Sequence, residues 1–362
     1  MGDIKQIPGE AEAIGRLRRG EIGLRPASLE LIEEGLTSDD GVEWDAVVEA
    51  TWSGKRYRFA LEYKSRSTPK VFTEALSKLR MSTLPPETYP MLMAPYLSPD
   101  QLTSLEESQV SGIDLCGNGV LVVSGEVCIV RTGQPNTFPQ SAPIKNVYRG
   151  KSSIVPRVFL ARSRFSTISE IKDEIGARAG NVALSTVSKV VATLEEDLIV
   201  GRKSGEIRLL QAEKLLERLA ANYDSPRITA RFEGECDLDL GTLAERFGEV
   251  ADLRFALTGA SSCRRYAVMA REDRVVLYCS DLDRALKALG AQVRETSRFV
   301  TFELAETPDD VVFFDPRTED NTPWAAPIQV YLELMRGDKR DRETAGFVQE
   351  ALLGELTAQM EG

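Results

Sequence analysis

Histidine is absent from all 362 residues, which removes at one stroke Ser-His-Asp and Cys-His nucleophile systems, His-Glu-x-x-His metalloproteases and ordinary zinc fingers. Any catalysis must run on carboxylates, lysine and metal. Cysteine is scarce too: Cys116, Cys128, Cys236, Cys263 and Cys279 show no Cys-x-x-Cys spacing and are odd in number, so buried free thiols are expected rather than a disulfide framework. No apolar run reaches the length of about 18 residues that a membrane helix needs. The start, Met1-Gly2-Asp3-Ile4-Lys5, lacks a basic region followed by an apolar stretch, so a cytoplasmic location is expected. Positive charge is in deficit. A formal net charge of −11 argues against nucleic acid coating the whole surface, and any DNA contact must be local.

What is present begins with a hairpin. Strand-like runs from Trp44 to Trp52 and from Lys55 to Tyr63 flank Ser53-Gly54, a two-residue connection that closes tight antiparallel hairpins. Counting back from it, Trp52 faces Lys55, Glu49 faces Arg58 and Asp45 faces Glu62. Alternation puts Asp45, Glu49, Arg58, Glu62 and Lys64 on one face, and a core of Ala46, Val48, Ala50, Trp52, Tyr57, Phe59, Leu61 and Tyr63 on the other. Opposed carboxylates repel, and a hard divalent cation or Lys64 would compensate them.

This arrangement, Asp45 followed by Glu62-Tyr63-Lys64, resembles the core of the PD-(D/E)xK nuclease superfamily. The resemblance implies a mixed-sheet, restriction-endonuclease-like fold. It also implies Mg²⁺ or Mn²⁺ on Asp45 and Glu62, with Lys64 steadying the attacking water. Glu33, on a helix expected over Leu29 to Leu36, is a further candidate ligand. The alternative is a solvated face in which Glu49 pairs with Arg58 and Lys64 neutralises Asp45 or Glu62. In that case the fold is a scaffold gripping DNA or protein.

After Lys64, a helix capped by Ser67 or Thr68 carries Val71, Phe72, Ala75, Leu76 and Leu79 at helical spacing. There follow a strand (Tyr89 to Pro95), a helix opened by Ser98-Pro99, a strand (Gly112 to Leu115) and a hairpin about Gly125. The expected organisation is α/β and multidomain. A nuclease-like domain spans 1–135, a proline-bearing linker 136–150, a helical segment 151–224 and a third, α/β segment 225–362.

In the helical segment, Val158 to Leu160 mark one helix, Ser166 caps a second and Leu184 to Leu194 mark a third. Leu198 to Val200 and Ile207 to Leu209 flank Gly201 to Gly205 as a small hairpin. This resembles a winged helix-turn-helix, whose third helix enters the major groove by its N-terminal end while the wing meets the backbone. Ser185, Thr186, Ser188 and Lys189 stand at that end, and Arg202 and Lys203 on the wing. Residues 145–232 hold 16 Lys and Arg against 10 Asp and Glu, a charge of +6 within a chain of −11. Such a basic island is the footprint duplex DNA requires. The same module also serves elsewhere for dimerisation or protein docking.

In the third segment, strands are expected at Ala267 to Met269, Val275 to Tyr278, Val300 to Leu304 and Val311 to Phe314. Helices are expected from Leu282 to Leu289, capped by Ser280 or Asp281, and over Gln329 to Met335 and Glu343 to Met360.

Several segments in order are similar to a bacterial family of AbiEi-like type IV toxin–antitoxin antitoxins and transcriptional regulators. They are Glu62-Tyr63-Lys64-Ser65 with Thr68-Pro69, Met93 to Ser98, Gly112 to Asn118, Thr186 to Lys189, Leu257 to Ala260 and Ala326 to Leu332. The resemblance implies promoter binding through the winged helix, repression of the operon and a nucleotidyltransferase-type toxin as partner. A homodimer is compatible with it. The competing expectation is a metal-dependent nuclease acting at Asp45, Glu62 and Lys64.

Overall fold

The computed structural model describes residues 7–37, 43–138, 146–267, 274–319 and 321–361. The chain divides into two compact units, Met1–Pro143 and Ile144–Gly362.

The first unit contains α1 (Glu10–Arg18), β1 (Ser28–Thr37), β2 (Glu43–Trp52), β3 (Lys55–Tyr63), α2 (Pro69–Met81), β4 (Thr88–Ala94), α3 (Pro99–Glu107), β5 (Ser111–Asp114), β6 (Gly119–Val123) and β7 (Val127–Arg131). Its seven described strands form one sheet in chain order. β1, β2 and β3 are antiparallel, β3, β4 and β5 parallel, and β5, β6 and β7 antiparallel again. The β2–β3 turn is the expected one: Ser53 and Gly54 both take positive φ (51° and 80°), the twist that two-residue hairpins require. Register runs from Trp52↔Lys55 to Ala46↔Leu61. Both faces of the sheet are covered. Ala46, Val48, Phe59 and Leu61 pack with Ile14 and Leu17 of α1, whereas Trp44, Ala60 and Leu92 pack with Phe72, Ala75 and Leu79 of α2 and Leu102 and Leu105 of α3. Thr68 caps α2, and Ser98 with Gln101 forms a capping box on α3.

Three expectations are corrected here. Leu29 to Leu36 lies in strand β1, not in a helix; its backbone pairs along the edge of β2, with a bulge between Leu31 and Glu33. The helical spacing of its apolar residues is overridden by that open sheet edge. Glu49 faces Arg58 in register but forms its ion pair with Arg56, at 3.7 Å. Of the cysteines, Cys263 and Cys279 are buried, Cys116 and Cys236 are half-buried and Cys128 is exposed. Cys128 faces outward because it lies on β7, an edge strand whose residues alternate in exposure.

The second unit begins before the expected helical segment, since Val147 and Tyr148 already belong to its core. It contains α4 (Ile154–Ala161), β8 (Arg164–Phe165), α5 (Ile168–Ala177), α6 (Leu184–Glu196), β9 (Val200–Lys203), β10 (Glu206–Leu209) and α7 (Ala212–Asn222). There follow β11 (Ala230–Cys236), α8 (Leu240–Gly248), β12 (Phe255–Thr258), α9 (Gly259–Cys263), β13 (Val275–Cys279), α10 (Leu282–Leu289), β14 (Val293–Glu295) and β15 (Phe302–Glu306), then β16 (Arg317–Glu319), β17 (Thr322–Trp324), α11 (Pro327–Leu334) and α12 (Lys339–Glu361). β8, β10 and β9 make a small sheet in that order, and a mixed sheet runs β14-β11-β15-β13-β12-β17-β16. One hydrophobic core joins Phe159, Val187, Leu194 and Leu216 to Ile328, Leu332, Val348 and Leu352, so the boundary expected at 224/225 falls inside this unit.

Thr167, one residue after Ser166, caps α5. Asp281 caps α10, as expected, accepting from the Arg284 N–H at 2.9 Å. Val311 to Phe314 is not a strand: Asp310–Phe313 forms a single 3₁₀ turn, a run of apolar residues too short for periodicity to separate the two. Of the strand expected at Ala267 to Met269, Val268 and Met269 lie outside the described residues.

Candidate nucleic-acid interface and the hairpin carboxylates

α6 is oriented by its apolar stripe, Val187, Val190, Val191 and Leu194, all buried. That burial turns the opposite face to solvent: Ser185, Ser188 and Lys189 are exposed, and Thr186 is half-buried. Ala183 at its N-cap supplies no side-chain hydrogen bond. The first-turn amides of Leu184 and Ser185 therefore keep their donors and the positive end of the helix dipole available to an anion.

The turn between α5 and α6 is fixed tightly. The Gly180 N–H donates to the Ile175 carbonyl at 2.9 Å, and a Cβ there would lie 2.6 Å from Ile175 Cγ2 and 2.9 Å from Phe314 Cδ2. Arg178 holds Asp315 at 2.6 Å, tying this turn to the connection that leads into β16 of the mixed sheet. On the β9–β10 hairpin both Arg202 and Lys203 are exposed. Their situations differ. Arg202 Nε lies 2.6 Å from Glu195 Oε1 of α6, whereas Lys203 has no partner among the described residues.

At the other candidate site, ladder pairing of β2 with β3 stops at Ala46↔Leu61, and the Tyr63 N–H donates to Asp45 Oδ2 at 2.6 Å. Glu62, 5% exposed, holds two ammonium groups: Lys64 Nζ at 2.6 Å from Oε1 and Lys78 Nζ, from α2, at 2.8 Å from Oε2. Lys78 also sits 5.6 Å from the centre of the Trp44 ring. Burial pushes the Glu62 carboxyl up, but the hydrogen bonds and charges of the two lysines together hold it below its ordinary value. Asp45 is raised, first by burial and then by the Glu62 charge, with the Tyr63 amide opposing.

Asp45, Glu62 and Lys64 are thus brought together, and Lys78 is the member that sequence reasoning left out of the site. Glu33 stands on the exposed edge strand β1. Among the described residues, no group of three or more Cys, Asp or Glu side chains is placed to hold a metal ion. A divalent cation needs open carboxylate oxygens. Those of Glu62 are engaged by two lysines, so the arrangement does not fit Mg²⁺ or Mn²⁺ as it stands.

A third constellation lies in the second unit. Glu333 is half-buried and accepts from Thr258 (2.5 Å), Gln329 (2.8 Å) and Tyr278 (2.9 Å). Burial raises its pKa against those donors. Gln329 accepts from Arg157 Nη1 at 2.8 Å and donates to Tyr223 at 2.9 Å. The sequence signal was one cation inside the apolar run Ile154 to Leu160.

Among the described residues no helix is long and apolar enough to cross a membrane. The second unit joins a helical segment bearing a three-stranded sheet to a mixed seven-stranded sheet. Residues 208–353, from β10 into α12, match the model of a family described as a transcriptional regulator, AbiEi antitoxin, of a type IV toxin–antitoxin system. No curated protein and no solved structure matches the chain.

Proposed function

We propose that this protein is a DNA-binding transcriptional regulator of the antitoxin kind, and that residues 151–224 act as a winged helix-turn-helix. The carrying observation is the N-terminal turn of α6. It has no side-chain cap and is flanked by exposed Ser185, Ser188 and Lys189, with Thr186 at its side and Lys203 on the adjacent hairpin. The family match at residues 208–353 and the local positive charge support the same reading. Asn and Gln are missing from the helix start, so phosphate positioning rather than base reading is what these side chains supply. A nucleotidyltransferase-type toxin, implied by the family's kind, is the proposed protein partner.

For the first unit we propose a nuclease-like scaffold of the PD-(D/E)xK type that grips DNA or protein, with Asp45, Glu62 and Lys64 held in an ion cluster. The two lysines on Glu62 favour this over metal-dependent hydrolysis. The test has two arms. Full-length protein is titrated onto duplex DNA from upstream of its own gene, and saturable binding that weakens steeply with salt is expected. It is also incubated with DNA and RNA in Mg²⁺ and Mn²⁺ beside Asp45→Ala, with identical patterns expected. Absence of duplex binding refutes the regulator; cleavage lost in Asp45→Ala refutes the scaffold and restores the nuclease.

A further inference from the structure

A cavity of about 460 Å³ opens in the second unit, walled by the 3₁₀ turn Gly150–Ser153, the segment Tyr223 to Arg227 after α7 and the turn Pro308 to Val312. Arg157 lines it while being only 2% exposed. Its Nη1 donates to Gln329 Oε1 at 2.8 Å and to the Val311 carbonyl at 3.3 Å. Nε is buried without a hydrogen-bond partner, and Nη2 has none among the described residues. Nε and Nη2 form the edge of a guanidinium that takes carboxylate or phosphate two-pronged.

Asp224 is engaged by Arg149, Asp310 lies 2.7 Å from Arg254 and 3.7 Å from Lys151, and Asp309 accepts the Arg227 N–H at 2.7 Å. None of these carboxylates pairs with Arg157, and Glu333 acts on it across space and through the amide of Gln329 without a direct ion pair. A buried cation without a direct ion pair is costly, and an anion in the cavity would offset that cost. Burial lowers the Arg157 pKa only to about 10, so the group remains charged at neutral pH.

We propose that this cavity binds a small molecule bearing one carboxylate or phosphate, its anionic end on the Nε–Nη2 edge of Arg157. Its body lies against Tyr148, Pro226, Pro308 and Val312, and Arg227 is at the exposed rim. The volume suits a compact organic anion and excludes a polynucleotide.

Isothermal titration of the full chain with benzoate and, separately, with inorganic phosphate tests the site. Saturable binding of at least one probe is expected, and which one binds tells carboxylate from phosphoryl chemistry. Arg157→Met retains most of the side-chain volume and should weaken binding about tenfold or more. Arg227→Glu, a surface change, should weaken it by at least about threefold. If Arg157→Met fails to fold, Arg227→Glu decides: weakened binding supports the site and unchanged binding overturns it. Neither probe binding to wild type, or both variants binding as wild type does, also overturns it.

Discussion

Glu62 offers the sharpest perturbation, because its two partners can be removed one at a time while its own burial stays the same. Its side chain is 6% exposed, against 35% for Lys64 and 42% for Lys78. A charge-assisted hydrogen bond contributes about 1.5–3 kcal/mol, and the half-exposed lysines place each bond near the lower end. Lys64→Met or Lys78→Met should therefore cost about 1.5–2 kcal/mol each. Removing both leaves a buried carboxylate uncompensated, for which about 3–5 kcal/mol is expected. Adding Glu62→Gln to the double variant removes that charge and should recover about half of the loss.

The pH dependence changes sign as well. In the wild type the folded-state pKa of Glu62 lies below its ordinary 4.5. Its contribution to stability is therefore full above that value and is lost as pH falls through the lowered pKa. Without the lysines, burial alone raises the folded pKa, and stability then declines as pH rises from 4.5 through that raised value. Urea unfolding from pH 3 to pH 8, followed by Trp44 and Trp52 fluorescence in a Trp324→Phe background, reads the first unit. A double variant as stable as wild type at pH 7, or one whose pH slope keeps the wild-type sign, refutes the clamp.

Duplex binding should lose about 0.9 from the log–log salt slope for each phosphate contact removed, about 3.5-fold in affinity change between 50 and 200 mM salt. Lys189→Ala and Lys203→Ala should each show it. Arg202→Ala should show less because Glu195 already neutralises that guanidinium; equal effects from all three in fluorescence anisotropy would contradict this ranking. Asp114→Ala strands four donors, the N–H groups of Leu97, Cys116 and Asn118 and the Asn118 Nδ2, that now meet the carboxylate at 2.7–3.0 Å. A loss of about 3 kcal/mol in chemical denaturation is expected. Gly180→Ala pushes a methyl into Ile175 and Phe314 and should cost about 1–3 kcal/mol, with weaker DNA binding, since the turn it distorts sets the start of α6.

The hairpin register, the positions of α2 to α6 and the Asp281 cap were legible in the sequence because each depends on neighbours a few residues apart: a two-residue turn, an apolar period, a carboxylate before a helix. β1 was not legible. Leu29 to Leu36 carries a pattern compatible with either element, and only the open edge of β2 selects the strand. Asp45, Glu62 and Lys64 could be placed together by counting, but Lys78 reaches Glu62 from a helix packed over the sheet, a distance that no local spacing encodes. Arg157 marked itself as one charge in an apolar run, yet its neighbours Gln329 and Val311 lie far along the chain. Local sequence thus determined which elements exist and which way their faces turn. Long-range packing decided which charges meet, and so whether a carboxylate is left for a metal or a guanidinium for an anion.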